Sequence, residues 1–286
     1  MPSPLVHVIT VSHNRRESTI AFCGSLARQI YSSFKLILVD DASTDDTVER
    51  VTKFAFCKHV CMGNGKLWWA GGVRRGLAYL KASRPAPDDI VLIANDDTTF
   101  DPDFLQKAVE EMKSHGRGVV LCASIRFVDT GGWTDGGTVC YWPRLTFKHY
   151  GRHVERIDCA STRCIFFWAG DLEIAGTFRP GLLRHYLSDY EFTIRARRNG
   201  LRLLPSRSVV GYGTENTTGF HKLPHGAFLD VLGQMFSPSF SANPRSLFYF
   251  VLLAAPGLWK IVGWFWALRT VCVFLLKASI YDRLRR

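Results

Sequence analysis

No secretory leader is expected, because Met1 to Arg16 contains no apolar core of the kind that directs export. The eight cysteines are scattered, so without a leader they are expected to be reduced thiols of a cytoplasmic protein. No second cysteine pair or neighbouring histidine pair accompanies Cys57 and Cys61, which speaks against a zinc site and for buried structural thiols. No internal repeat or low-complexity tract is present. No apolar run reaches the ~20 residues of a spanning helix: Leu247 to Trp259 is shorter, and Pro256, Lys260 and Arg269 interrupt the apolar region that continues to Leu276. Acid is scarce at the C-terminus. From Asn243 onward Asp282 stands against seven basic residues, so +6 of the formal +11 lies in the last 44 positions. Those charges interleave with Phe248, Trp259, Trp264, Phe265 and Phe274, a mixture that suits an anionic membrane surface rather than nucleic acid. Two or three amphipathic helices lying in the interface are expected there, with a homodimer through them as the other use of an apolar tail.

Two acidic clusters stand out among what is present. Leu36 to Val39 runs into Asp40-Asp41, and Ile90 to Ile93 runs into Asn95-Asp96-Asp97. Continuous aliphatic runs of this length fit strands buried on both faces, as in a parallel sheet. The carboxylates then fall at the carboxyl edge, where open α/β sheets bind ligands, and an oxygen-rich acidic pair suits Mg2+ or Mn2+ bridging phosphates. Turn forming and helix capping are the competing uses of such residues.

Further elements follow the same alternation. Leu5 to Val11 reads as a strand, Glu17 to Gln29 as a helix, Phe34 to Asp40 as a strand, Ser43 to about Phe54 as a capped helix and Cys57 to Met62 as a strand. Gly63 to Gly72 reads as a glycine-rich loop before a helix over Val73 to Leu80, and Asp101-Pro102 as the N-cap and first position of another helix. After a strand over Val119 to Ile125, the glycines at 131, 132, 136 and 137 predict hairpins. Asp171 to Thr177 and Ser188 to Asn199 read as helices, the latter ended by Gly200, and Val209 to Pro224 as a loop.

Five motifs in order now resemble one family: Val8-Ile9-Thr10-Val11-Ser12-His13-Asn14-Arg15, Val39-Asp40-Asp41-Ala42-Ser43, the Gly65 to Gly76 segment, Ala94-Asn95-Asp96-Asp97, and Ser188-Asp189-Tyr190-Glu191-Phe192 with Arg195. The chain resembles inverting family 2 glycosyltransferases of the GT-A fold, and within them the bacterial rhamnosyltransferase-like branch. The fold this implies is α/β, a Rossmann-like, mostly parallel sheet flanked by helices. Residues 1–225 would form the catalytic domain, with a nucleotide-sugar half over 1–127 and an acceptor half over 128–225, and 226–286 the apolar, basic helical tail.

The resemblance places Thr10, Ser12, Asn14 and Arg15 beside the nucleotide, with Asp41 or Asp40 accepting from the base or ribose. Gly65, Gly71 and Gly72 would bring backbone close to the donor and Lys66 would approach its phosphates, while Trp68-Trp69 either underlies the donor or packs the rim. In the family's Asp-x-Asp motif the first position is Asn95 here. Asn95 and Asp96 would address the sugar nucleotide and Asp97 the Mg2+ or Mn2+, with His221 as a further ligand. Asp189 would be the base that takes the acceptor's proton, with Glu191 as substitute. The fork of Arg195, or of Arg197 or Arg198, suits the leaving diphosphate. Asp171 falls where the fold touches acceptor, or caps a helix.

What this implies is a sugar moved with inversion from a nucleotide-diphospho-sugar, dTDP-L-rhamnose ahead of UDP-hexoses, to a glycan or a polyprenyl- or lipid-linked acceptor. The setting would be bacterial surface polysaccharide (O-antigen or capsule) synthesis, at the inner face of the plasma membrane. The rival, prompted by Asn95, is a catalytically inactive relative that scaffolds a glycan-assembly complex. A sugar nucleotidyltransferase is disfavoured, because Ser12 to Arg16 lacks the glycine-rich loop such enzymes need after the first strand.

Overall fold

A computed structural model describes residues 3–150, 157–214 and 228–285, with the side chains of 228, 229 and 277–285 outside the description. In chain order the elements are β1 (Val6–Ser12), α1 (Arg16–Ala27), β2 (Phe34–Asp40), α2 (Thr47–Val51), β3 (Cys57–Met62), α3 (Trp68–Ala82), β4 (Ile90–Ala94), β5 (Thr99–Phe100), α4 (Phe104–His115) and β6 (Val119–Phe127). There follow β7 (Trp133–Thr134), β8 (Thr138–Tyr141), β9 (Thr146–His149), β10 (Cys164–Trp168), α5 (Leu172–Ala175), α6 (Ser188–Arg198), β11 (Arg202–Gly213), α7 (Phe228–Met235), α8 (Pro244–Ala254) and α9 (Trp259–Arg285).

The main sheet has the order β3-β2-β1-β4-β10-β6-β11-β5, with β7 on β6 and a separate β8-β9 hairpin. Strands β1 to β4 are parallel, as their continuous aliphatic runs require, and both faces are covered. Ile90, Leu92 and Ala94 pack into one layer with Phe22, Leu26, Phe104 and Met112, while Val91 and Ile93 pack into the other with Val73, Leu77 and Phe192. The pleat alone sorts one buried strand between two cores. Strand β10 enters antiparallel between β4 and β6, and Phe166 and Phe167 go one to each layer.

Three expectations change. The helix after the third strand begins at Trp68, five residues before the expected Val73, so Gly71 and Gly72 are helical. They serve close packing: a Cβ on Gly72 would meet Val11 Cγ1 at 2.5 Å. Gly72→Ala is therefore expected to cost about 1–3 kcal/mol in urea unfolding, the usual range for overpacking, and to displace Val11. Helix α4 starts at Phe104, and Asp101 accepts from the Tyr212 hydroxyl at 2.7 Å instead of capping it. The stretch from Val209 to Gly213 is the end of β11, not loop. Its register slips between Pro205 and Val210, where Glu111 gathers the hydroxyls of Ser206 and Ser208 and the N–H of Arg207.

The tail forms α7, α8 and α9. Asn243 caps α8 through the N–H groups of Arg245 and Ser246, and Pro244 sits in the first turn. Lys260 and Arg269 do not interrupt α9, since both residues are good helix formers. Within its 27 residues, Trp259–Leu276 is long and apolar enough to cross a membrane by length and composition. The tail packs on β8, α6 and the segment before α6: Phe250 joins Cys140, Leu183 and Ile194, and Arg198 donates to the carbonyls of Leu253 and Ala254.

Candidate active site

The carboxyl ends of β1, β2 and β4 open into a cleft of about 360 Å³. Val11, Ser12, His13, Arg15 and Asp41 line one side and Asn95, Asp96 and Asp97 the middle. Trp68, Trp69, Ser161, Thr162, Arg163, His185, Tyr186 and Asp189 complete it. Non-glycine residues with positive φ concentrate at this place: Trp68 (φ +56) lines the cleft, and Asn14 (+50), Ala42 (+59) and Leu187 (+66) each neighbour a lining residue in sequence. Conformations of that kind persist where the surroundings over-determine them, and they gather at functional sites.

Asp41 is an organiser of this wall. Its Oδ1 accepts from the N–H groups of Asn64 (3.2 Å) and Gly65 (2.8 Å), and its Oδ2 from those of Leu67 (2.8 Å) and Trp68 (3.1 Å). One carboxylate thus satisfies four donors of the turn into α3. Gly63 must be glycine here, since a Cβ would stand 2.4 Å from Asp41 Oδ1. Gly65, at φ +77, brings its N–H to the same carboxylate. Lys66 is exposed and outside the cleft.

Asp40 is fully buried and does not line the cleft. Its Oδ2 accepts from Ser43 N–H at 2.9 Å, while its Oδ1 has no partner. Thr10 is also fully buried, with an unpartnered hydroxyl. Asn14 is exposed, and its side chain accepts from Thr44 N–H at 2.7 Å, tying the β1 and β2 loops together. These three frame the site from behind.

The acidic centre is held by one arginine. Arg15 places Nε 3.1 Å from Asp96 Oδ1 and Nη2 2.8 Å from Asp97 Oδ2. Asp96 also accepts from the Thr19 hydroxyl at 3.1 Å, and Thr19 in turn contacts Ser12 Oγ at 2.8 Å. Burial pushes the Asp96 carboxyl up to about 6, against the opposing pull of Arg15. Asp97 keeps Oδ1 buried and without a partner, a free carboxylate oxygen of the kind a hard divalent cation takes. No cluster of three histidine, cysteine or acidic side chains able to hold a metal occurs among the described residues, and His221 lies outside them. Asp97 with donor oxygens and water fits such an ion.

Asp189 is the second residue of α6, and its Oδ1 accepts from the N–H of Tyr190 at 3.1 Å. The residue at the cap position is Leu187, so Asp189 is not the N-cap. Burial raises its carboxyl to about 6. A second cavity, of about 680 Å³, begins at the same carboxylate: it shares Ser161, Arg163, Tyr186 and Asp189 with the cleft and continues past Asp135, His149 and Tyr190.

The other basic and acidic residues of α6 are committed elsewhere. Arg195 donates to Glu191 at 2.8 Å and to the carbonyls of Ala175 and Thr177, so it clamps the α5 connection and does not line the cleft. Glu191 is buried in that pair and cannot substitute for Asp189. Arg197 pairs with Asp158 at 2.8 Å. Asp171 accepts from Gly118 N–H at 2.8 Å, beyond the Trp168 end of β10, which pairs with the start of β4 at the edge of the sheet away from the cleft.

Sequence reasoning did not single out Ser161, Thr162, Arg163, His185 or Asp135. Because β10 runs antiparallel, the residues before it reach the same edge as the residues after β4; Asn95 N–H donates to Arg163 O at 2.9 Å. Thr162 accepts from Trp69 Nε1 at 2.9 Å, and Arg163 lies 3.6 Å from Asp135. Burial lowers His185 to about 4, so its ring is neutral beside Trp68. No local pattern signals these positions. Only the strand order does.

Comparison with known proteins agrees with this geometry. A profile described as glycosyl transferase family 2 matches residues 7–168. A UDP-Glc:alpha-D-GlcNAc-diphosphoundecaprenol beta-1,3-glucosyltransferase, WfaP of Escherichia coli, is 31% identical over 70 residues, which are 24% of this chain and 28% of that protein. The structure of S. aureus TarS superposes with a TM-score of 0.60 at 16% identity, covering 98% of this chain and 55% of that one. The mannosyltransferase PcManGT from Pyrobaculum calidifontis, in complex with GDP-Man and Mn2+, gives 0.55 at 16% identity over 100% and 89% of the two chains. With more than half of its length matched and a parallel-dominated sheet carrying the motifs at its carboxyl edge, the chain belongs to glycosyl transferase family 2, on a GT-A-like fold.

Proposed function

We propose that the chain transfers a sugar from a nucleotide-diphospho-sugar to a glycan or lipid-linked acceptor with inversion. The observation that carries this reading is the position of Asp189, whose carboxylate borders both cavities. The nucleotide lies against Val11, Ser12, His13 and Trp68, and its sugar faces Asp189. The Asp189 carboxylate takes the proton from an acceptor hydroxyl in the second cavity. The freed oxygen bonds to the anomeric carbon as the bond to the diphosphate breaks on the opposite side, and the centre inverts. Arg15, Asn95 and Asp96 orient the diphosphate. Mg2+ or Mn2+ held by Asp97 would supply positive charge to the leaving group.

Among donors we place UDP-hexoses ahead of dTDP-L-rhamnose. The relative that matches in sequence is named for UDP-Glc and a neighbouring structure for UDP-GlcNAc, and rhamnose rests only on the tryptophan pair and the Ser188 to Glu191 segment. We place the protein on the cytoplasmic side of a bacterial plasma membrane, in surface polysaccharide assembly, because of its apolar, basic tail.

A thermal-shift panel of nucleotide sugars with Mn2+ tests the donor, with stabilisation growing as ligand exceeds its dissociation constant. A chain stabilised by none of them is not a nucleotide-sugar transferase. Treatment with EDTA is expected to abolish transfer and added Mg2+ or Mn2+ to restore it, and Asp97→Ala to remove the restoration. Activity indifferent to EDTA would make the chemistry cation-independent. The inactive-scaffold reading draws on Asn95, and detectable transfer or donor hydrolysis discards it.

A further inference from the structure

The second cavity leads away from Asp189 to the tail, where Leu247 of α8 and Trp266, Arg269 and Thr270 of α9 form part of its wall. Helix α9 is fixed there by Trp266 Nε1, which donates to Pro143 O at 2.8 Å in the 3-10 turn that carries Arg144. At 3.6 residues per turn, Ile261, Phe265, Leu268, Cys272 and Leu276 fall on one stripe, and all five are exposed. Trp266 and Thr270 lie on the cavity side. Arg269 falls between stripe and cavity, with its guanidinium 5.1 Å from the Trp266 ring centroid.

Arg163, nearer the base, is paired with Asp135. Arg144 and Arg269 both line the cavity, and neither has a carboxylate partner among the described residues. From the inside outward the surface therefore reads as a carboxylate, a cavity of mixed polar and apolar lining, two uncompensated guanidiniums and an apolar stripe. We infer that the occupant has the same order: a sugar hydroxyl at Asp189, a phosphate or diphosphate between Arg144 and Arg269, and a long apolar chain along the α9 stripe. The inference rests on the transferase reading and adds that α9 is a wall of the acceptor site and that these two arginines hold the acceptor's phosphate, which suits guanidinium forks. A bare anionic bilayer would be met equally well by a cation outside the cavity, such as Lys260.

The test is flotation of the full chain with two sets of phosphatidylcholine vesicles, one carrying a long-chain isoprenyl diphosphate and one carrying phosphatidylglycerol at matched charge. Arg144→Gln and Arg269→Gln, singly and together, are expected to weaken binding to the isoprenyl diphosphate vesicles, the pair by at least about tenfold, and to leave phosphatidylglycerol binding within about twofold. Lys260→Gln should do the reverse. Unchanged melting temperature and unchanged UDP binding establish that the variants fold. Undiminished binding of the double variant to the isoprenyl diphosphate overturns the inference, and so does equal loss on both vesicle types, which would reduce the arginines to bilayer contacts. Vesicle binding needs no donor, so a wild-type chain that binds the diphosphate lipid but transfers no sugar would overturn the transferase reading instead.

Discussion

Replacing Asp189 by Asn is expected to lower turnover by at least about a hundredfold while leaving donor affinity within about twofold, because general-base catalysis contributes roughly 10²–10⁴. The amide keeps the shape and an acceptor for the Tyr190 N–H but cannot take a proton. In the wild type, burial holds the carboxyl at about 6, so the basic form is lost below that value. The acidic limb of kcat against pH should bend near 6 and level off above about 7. The sign of the stability effect is opposite. A carboxyl whose folded value is raised favours the fold below its unfolded value near 4, and that contribution disappears as pH rises through about 6. At pH 7.5 Asp189→Asn should therefore melt at or above the wild-type temperature. An inactive but destabilised variant would mean lost folding, and near wild-type turnover would refute the assignment.

The second large effect is expected at Asp41. Removing its carboxylate in Asp41→Ala leaves four N–H groups of the Asn64 to Trp68 turn without their acceptor. At about 1–3 kcal/mol for each buried donor, and with water reaching part of the turn, a loss of about 3 kcal/mol in urea unfolding without any ligand is expected. Asp41→Asn should be nearly as harmful, since its amide would present N–H to two of the donors. Both should abolish stabilisation by UDP, because Trp68 loses the bond that holds it at φ +56. Were Asp41 only a contact to the base or ribose, the ligand-free protein would keep its full stability. That measurement separates the two roles.

Asp41 also shows how far chemistry can be assigned from sequence. Its type, its place after a buried strand and its presence in the cleft are all legible, because a run such as Leu36 to Val39 has one stable environment. Which donors it meets depends on the turn into α3, and that turn was obscured by Gly71 and Gly72, which look like helix breakers until Leu67 is seen against the first and Val11 beneath the second. Arg195 illustrates the same limit: its fork suits a diphosphate, but Glu191, one turn before it, claims it first. Strand β11 was hidden by its own irregularity, since Pro205 and the following bulge remove any alternation. Strand β10 lacked no apolar signal; Cys164 to Trp168 is buried throughout. What no periodicity reveals is its direction.

That direction has a consequence for how the chain must assemble. Strands β4 and β6 are separated in sequence only by β5 and α4, yet they are not neighbours in the finished sheet, and the strand that joins them is synthesised about 45 residues after β6 begins. Until Cys164 to Trp168 has left the ribosome, β4 and β6 each present an open strand edge and both apolar layers are half-formed. The parallel strands β1 to β4 are therefore not a module that can mature on its own before the rest of the sheet is made. One five-residue strand closes both cores at once, so the cleft and the second cavity, which share Ser161 and Arg163 just before it, come into being in the same event.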